Sequence, residues 1–119
     1  MALRSLVQLR GFFELLPGGS KNINVSDLQN NTPPSEEVQL ILLLGDNTIT
    51  VPALAAGCII VFDSTSVTTK TLKGAAGDTG IILAPTQWSV LTFTPAGITD
   101  FIINSSAEDN SLYTTIIFF

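Results

Sequence analysis

From residue 36 onward the chain alternates apolar and polar positions with the period of extended strands. In EVQLILLL, Val38, Leu40, Leu42 and Leu44 fall on one face, and in TITV, Ile49 and Val51 do the same. The intervening Gly45-Asp46-Asn47 is a strong turn signal, so these two runs read as a hairpin. ALAAG then supplies a connector of small residues, and GCIIVFD reads as a buried strand rich in β-branched side chains. STS turns the chain. In VTTKTLKG, Val67, Thr69, Thr71 and Lys73 oppose Thr68, Lys70 and Leu72. TGIILAP is a short apolar strand, and WSVLTFTP alternates Trp88, Val90 and Thr92 against Ser89, Leu91 and Phe93. PAG turns it; TDFIINSS is a strand, SAEDNS a loop, and LYTTIIFF a further strand.

The first 35 residues follow a different grammar. Leu3, Leu6, Val7 and Leu9 partly fit a helical stripe, while Leu3, Val7 and Leu9 also fit a strand face. Phe12, Phe13, Leu15 and Leu16 form an apolar knot ending at Pro17, and PGGS breaks any regular element. KNINVSDLQNNTPPSEE is polar and turn-prone. Residues 1–35 therefore read as an N-terminal arm or attachment segment, and residues 36–119 as a β domain. The competing assignment gives residues 1–35 one or two ordinary strands of the same core.

About eight short strands spaced by turn chemistry, with no run of helical period after residue 36, predict an all-β fold. The expected architecture is an antiparallel sandwich or barrel, jelly-roll-like, carrying an N-terminal arm. A parallel sheet would need helical crossovers for which there is no sequence. The apolar run Ile116-Ile117-Phe118-Phe119 is expected in a central strand, or at an edge paired to a neighbouring subunit, because an exposed strand of that composition invites aggregation.

Composition adds a constraint on the surface. Of 119 residues, 45% are apolar and only 13% charged, and the mean hydropathy is +0.45. So little charge points to an exterior of Ser, Thr and Asn, much of it covered by further copies or another partner. The net charge of −5 argues against a nucleic-acid partner. It is unevenly distributed. Residues 1–35 hold Arg4, Arg10 and Lys21 against Glu14 and Asp27, whereas residues 36–119 hold eight acids against Lys70 and Lys73. A slightly basic arm suits the acidic surface of a neighbour. The longest nearly uninterrupted apolar run, PALAAGCIIVF, is far short of the ~20 residues of a membrane span, so no membrane partner is expected. Arg10 and Glu14 interrupt the first apolar region, so it does not read as an export signal. The sequons at Asn24, Asn30 and Asn104 read as chance without one.

Candidate chemistry is sparse. KGAAGDTG, residues 73–80, has three glycines, a lysine and an aspartate. A phosphate loop places its lysine after the glycines and leads into a helix; here the lysine comes first and a strand follows. Two Gly-x-y triplets are too few for a collagen helix. The stretch reads as a tight connection between two strands, with Asp78 bonding back into its own turn and glycines supplying positive φ. There is no histidine, so the commonest base and metal ligand is missing. Asp63, Asp78, Asp100 and Asp109 fall at turns or strand ends, where aspartate is normally a turn former. SSAEDNS offers two adjacent acids as a weak calcium option without EF-hand spacing. Cys58, the only cysteine, reads as a buried inert thiol. Trp88 and Tyr113 are single aromatics of their kinds, expected in the core or at an interface, with a carbohydrate-stacking role as the functional alternative. No catalytic, cofactor-binding or metal-binding residue is assigned, and no enzyme is expected.

The run TLKGAAGDTGIILAPTQWSVLTF resembles a stretch found in small structural proteins of tailed-bacteriophage virions. There a KG-x-x-GDTG-I segment leads through a proline-containing connector into a strand of S-V-L type. It is preceded by an A-A-G turn and an apolar strand, here Ala55-Ala56-Gly57 and CIIVF, and followed by a strand ending I-I-F, here Ile116, Ile117 and Phe118. The resemblance covers roughly residues 50–119. It implies a β-rich, oligomeric, non-enzymatic virion component: a capsid decoration or cement protein, or a head-fibre, neck or tail protein. The implied partners are further copies of the chain, with a trimer expected, and a major capsid protein or other virion protein. The implied location is the virion, assembled in the host cytoplasm. On this reading Phe12, Phe13, Leu15 and Leu16 are the apolar attachment anchor, assisted by Arg4 and Arg10. The alternative is a carbohydrate- or receptor-binding sandwich of a tail or head fibre.

Overall fold

The computed structural model describes residues 5–16, 19–30, 34 and 36–119, the first two stretches as backbone only. Those two stretches are strands β1 (Ser5–Leu16) and β2 (Gly19–Asn30). They pair antiparallel as a two-stranded ribbon with register shifts between Val7 and Leu9 and between Glu14 and Leu16. The ribbon joins neither of the other sheets. The side chains of Arg10, Phe12, Phe13, Leu15 and Leu16, and the whole of Arg4, lie outside the described residues.

The remaining eight strands are β3 (Glu37–Leu40), β4 (Gly45–Thr50), β5 (Gly57–Val61), β6 (Lys70–Lys73), β7 (Ile81–Ile82), β8 (Ser89–Thr92), β9 (Asp100–Ser105) and β10 (Thr114–Phe118). They form two four-stranded sheets, β3-β10-β5-β8 and β4-β9-β6-β7, with every pairing antiparallel. Counted within the eight, the orders are first-eighth-third-sixth and second-seventh-fourth-fifth, which is a jelly roll. The all-β sandwich expected from the sequence is therefore the fold. No described residue is helical.

Alternation builds the core. In β10, Thr114, Ile116 and Phe118 point inward; in β9, Phe101, Ile103 and Ser105 do. Together with Leu42, Ile49, Val51, Ala55, Cys58, Ile60 and Phe62 they close one apolar layer between the sheets. The apolar C-terminal run occupies β10, a central strand between β3 and β5, where its backbone is paired on both sides. Phe119 then docks back, its carbonyl accepting from Ala56 N and Gly57 N and its N–H donating to Gly57 O.

The predicted hairpin at Gly45-Asp46-Asn47 is not formed. β3 and β4 belong to different sheets, and Gly45, Asp46 and Asn47 are themselves strand residues opposite Ser105, Asn104 and Ile103. Residues 41–44 carry the chain across. Asn47 does the local bonding of a turn residue: its Oδ1 accepts from Leu43 N and its Nδ2 donates to Leu43 O, both at 2.9 Å. The turn chemistry was legible, but Asn47 Nδ2 also donates to Ile103 O, 56 residues away, and the pairing of residues 45–50 with β9 decides which sheet follows. Trp88 precedes β8 and is 70% exposed, so of its two expected settings, core or interface, the core is ruled out.

Candidate functional site

Two places stand out. One is a polar cluster inside the sandwich; the other is an open apolar edge.

The cluster centres on Lys70, the first residue of β6, on the inward face with Leu72. Its Nζ lies 3.2 Å from Asp109 Oδ2 and 3.3 Å from Oδ1, with both side chains almost wholly buried, at 1% and 2% exposure. The ammonium also donates to Ser66 Oγ at 2.9 Å and to Thr68 Oγ1, and sits 5.4 Å from the Phe62 ring centroid. Asp109 Oδ1 accepts from Ser66 Oγ at 2.8 Å and Thr68 Oγ1 at 2.9 Å. Ser105 Oγ donates to Ala107 O at 2.6 Å, and Asp109 N to Leu42 O at 3.0 Å. Each charge is thus paired and further hydrogen-bonded, the condition under which a buried ion pair is tolerable. The charged pair itself is closed off, while Ser66 and Thr68 also line a small hollow on the outside of the sandwich. The cluster ties the β9–β10 loop to the β5–β6 loop. Asp109 of SSAEDNS is committed to Lys70, and Glu108 is exposed, so the two adjacent acids do not converge. Among the described residues no three His, Cys, Asp or Glu side chains are grouped as a metal site.

Sequence reasoning missed this pair. The alternation of VTTKTLK already put Lys70 on the face shared with Leu72. That a lysine stood on an apolar face was the available signal.

KGAAGDTG is the turn it was expected to be. It joins β6 to β7, which are antiparallel neighbours. Asp78 Oδ2 accepts from Ala75 N at 2.8 Å, and Asp78 N donates to Ala75 O at 3.0 Å. Only one of its glycines needs positive φ: Gly80, at +77°. Lys73 Nζ donates to Ala76 O at 2.7 Å and bridges to Asp46 Oδ1 at 3.2 Å on β4. Asn104 Nδ2 bonds the same oxygen at 2.7 Å. Those two donors hold the Asp46 carboxyl below its ordinary value, Asn104 contributing more than Lys73. Burial pushes the Cys58 thiol up to about 12, in keeping with an inert core position.

The apolar edge lies beside that turn. β7 and β8 are edge strands of their respective sheets, and between them the sandwich opens into a groove of about 450 Å³. Its walls include Leu72, Ile81, Leu91, Phe93, Ile98 and Phe101, with Lys73 and Asp78 at the rim. Ile81 on the groove wall and its neighbour Ile82 are 66% and 71% exposed, and Val67 is almost fully so. Val67 and Ile82 share a second, smaller hollow. Large apolar side chains so placed make this edge a candidate contact surface. No protein family, curated protein or solved structure matches this chain.

Proposed function

We propose that the chain is a non-enzymatic structural component of a phage virion: a capsid decoration or cement protein that associates with its own copies and attaches to neighbouring capsid subunits. The observation that carries this reading is the apolar β7/β8 edge on a compact jelly roll. An isoleucine pair exposed on an edge strand is an aggregation hazard unless another chain covers it. The low charge content follows from the same cause, since interface centres are depleted in charge. The sequence resemblance supplies the virion context. Residues 1–35, through Phe12, Phe13, Leu15, Leu16, Arg4 and Arg10, would make the attachment. Quantitative protein mass spectrometry of purified particles from the encoding phage tests this. Copies in the hundreds per particle fit a decoration protein; a few copies fit a neck, tail or fibre component; absence from the particle sinks the proposal.

A second reading, a carbohydrate- or receptor-binding module, is favoured by one observation: Trp88 and Tyr113 are 70% and 54% exposed, as stacking residues must be. Because Trp88 is the only tryptophan, its fluorescence reports on that surface alone. A saturable shift on adding a glycan, lost in Trp88→Ala, would favour the module over the decoration protein.

A further inference from the structure

We infer that the β1–β2 ribbon lays one face flat on the outer face of sheet β3-β10-β5-β8 of its own chain, as a third layer over the sandwich. Three observations carry this.

The first is the sheet face. Paired residues of an antiparallel sheet share a side, so the register sorts each sheet into an inner and an outer face. On the outer side of β3-β10-β5-β8, Val90, Ile59 and Ile117 stand in one row that ends at Glu37. The next row holds Val61 and Thr115 and ends at Gln39. All four apolar residues are at least partly exposed, Ile117 at 38%. The charge in these rows is Glu37, out on the edge strand. The outer side of the other sheet carries Asp46, Thr48, Thr50, Asp100, Asn104 and Lys73, with Ile82 and Ile102 as its apolar members. A sheet face turned to water is normally polar, as this second one is. The first has the composition of a face that packs on another layer.

The second is the pattern of the ribbon. Its register places Val7 with Leu28, Leu9 with Val25 and Gly11 with Ile23 on one face, and Phe13 with Lys21 continues that face toward the tip. Arg10 with Asn24 and Glu14 with Ser20 are on the other, together with Leu6 and Phe12. The half of the ribbon nearest the body is therefore apolar on one side, and both charges of β1 belong to the opposite side. A two-stranded ribbon alone is marginal in water; packing its apolar face on further structure is what makes it hold.

The third is the tether. Residues 31–36 join Asn30 of β2 to Glu37 of β3, and β3 is an edge of the sheet with the apolar outer face. Six such residues reach at most about 20 Å, and the four strands of the sheet span about 14 Å, so the base of the ribbon can lie on that face. So short a tether holds the ribbon at an effective concentration in the millimolar range, above that of free second copies, so its own body is the favoured acceptor. The 12-residue strands of the ribbon are more than twice as long as the strands beneath them, so its tip overhangs and stays free for the attachment proposed above.

The test is amide hydrogen exchange of the full chain, read by mass spectrometry on peptides of β1 and β2, with the native mass taken by light scattering across a range of chain concentrations. The expected result is ribbon exchange slowed about tenfold or more relative to an unstructured chain, independent of concentration. Ile59→Asp sets a charge in the middle of the apolar face and should return the ribbon to the unstructured rate while β9 and β10 stay protected. Thr48→Asp, on the outer face of the other sheet, should leave the ribbon protected. If Ile59→Asp unfolds the body, Val90→Asp on the edge strand β8 takes its place. A ribbon that exchanges at the unstructured rate in the parent, or that stays protected in a folded Ile59→Asp or Val90→Asp chain, overturns the docking. Protection lost through Thr48→Asp overturns the choice of face. Protection that rises with concentration, together with the native mass, overturns the own-chain assignment and makes a second copy the acceptor.

Discussion

At the residue scale the Lys70–Asp109 pair has the most at stake. Removing either partner leaves a buried charge uncompensated, so Lys70→Ala or Asp109→Ala should each cost about 3–5 kcal/mol in chemical denaturation. The joint change Lys70→Met/Asp109→Leu should recover most of that loss, because the pair is costly to bury and Ser66 and Thr68 retain a hydrogen bond to each other at 3.1 Å. The pair was half legible in the sequence. Alternation put Lys70 on the inward face, but its acid lies 39 residues away on a loop, and spacing carries no information about that meeting. Cys58 was legible outright from its apolar neighbours. It should resist a thiol reagent at mildly alkaline pH in the folded chain and react fully once unfolded, since its thiol is pushed up to about 12 and shielded from solvent.

At the element scale the decisive pieces are the turns. Gly80 combines φ of +77° with a site where an added Cβ would lie 2.5 Å from Leu72 O and 2.7 Å from Lys73 Cγ. Gly80→Ala should therefore destabilise by about 1–3 kcal/mol. Gly77→Ala, in the same turn but facing open space, should stay within about 0.5 kcal/mol of the parent in the same titration. The sequence marked both glycines alike; only the backbone conformation separates them. Asp46 ties this turn to β4 through Lys73. A carboxyl lowered on folding stabilises the fold above its unfolded value, near 3.8, and the contribution is lost as pH falls through the lowered folded value. Asp46→Asn should accordingly reduce Tm at neutral pH, and the gap to the parent should close in strong acid. The error at Gly45-Asp46-Asn47 has the same origin as the success at residues 73–80. Turn residues announce that the chain bends, and whether it folds back or crosses to the other sheet depends on partners far along the sequence.

At the scale of the whole molecule, the strand count and class were legible because half-buried strands write their period into the chain. The apolar edge was not. Ile81 and Ile82 look like any buried pair in sequence, and only the strand order places them at a border of the sheet. That strand order also bears on how the protein is made. Of the six strand pairings in the body, only β6 with β7 joins consecutive strands. β3 must wait for β10 across more than half of the chain, and β4 for β9 across nearly half of it. Loop-closure entropy has to be met before these contacts can repay it, which places refolding in the slow class, about milliseconds to seconds. Stopped-flow refolding of the body should show that slow phase. A nascent chain stalled before β10 has emerged should remain sensitive to protease along its whole body. The exposed apolar strands of such an unfinished chain would have to be kept apart in a crowded cell, and the demand on chaperones would rise with every copy made.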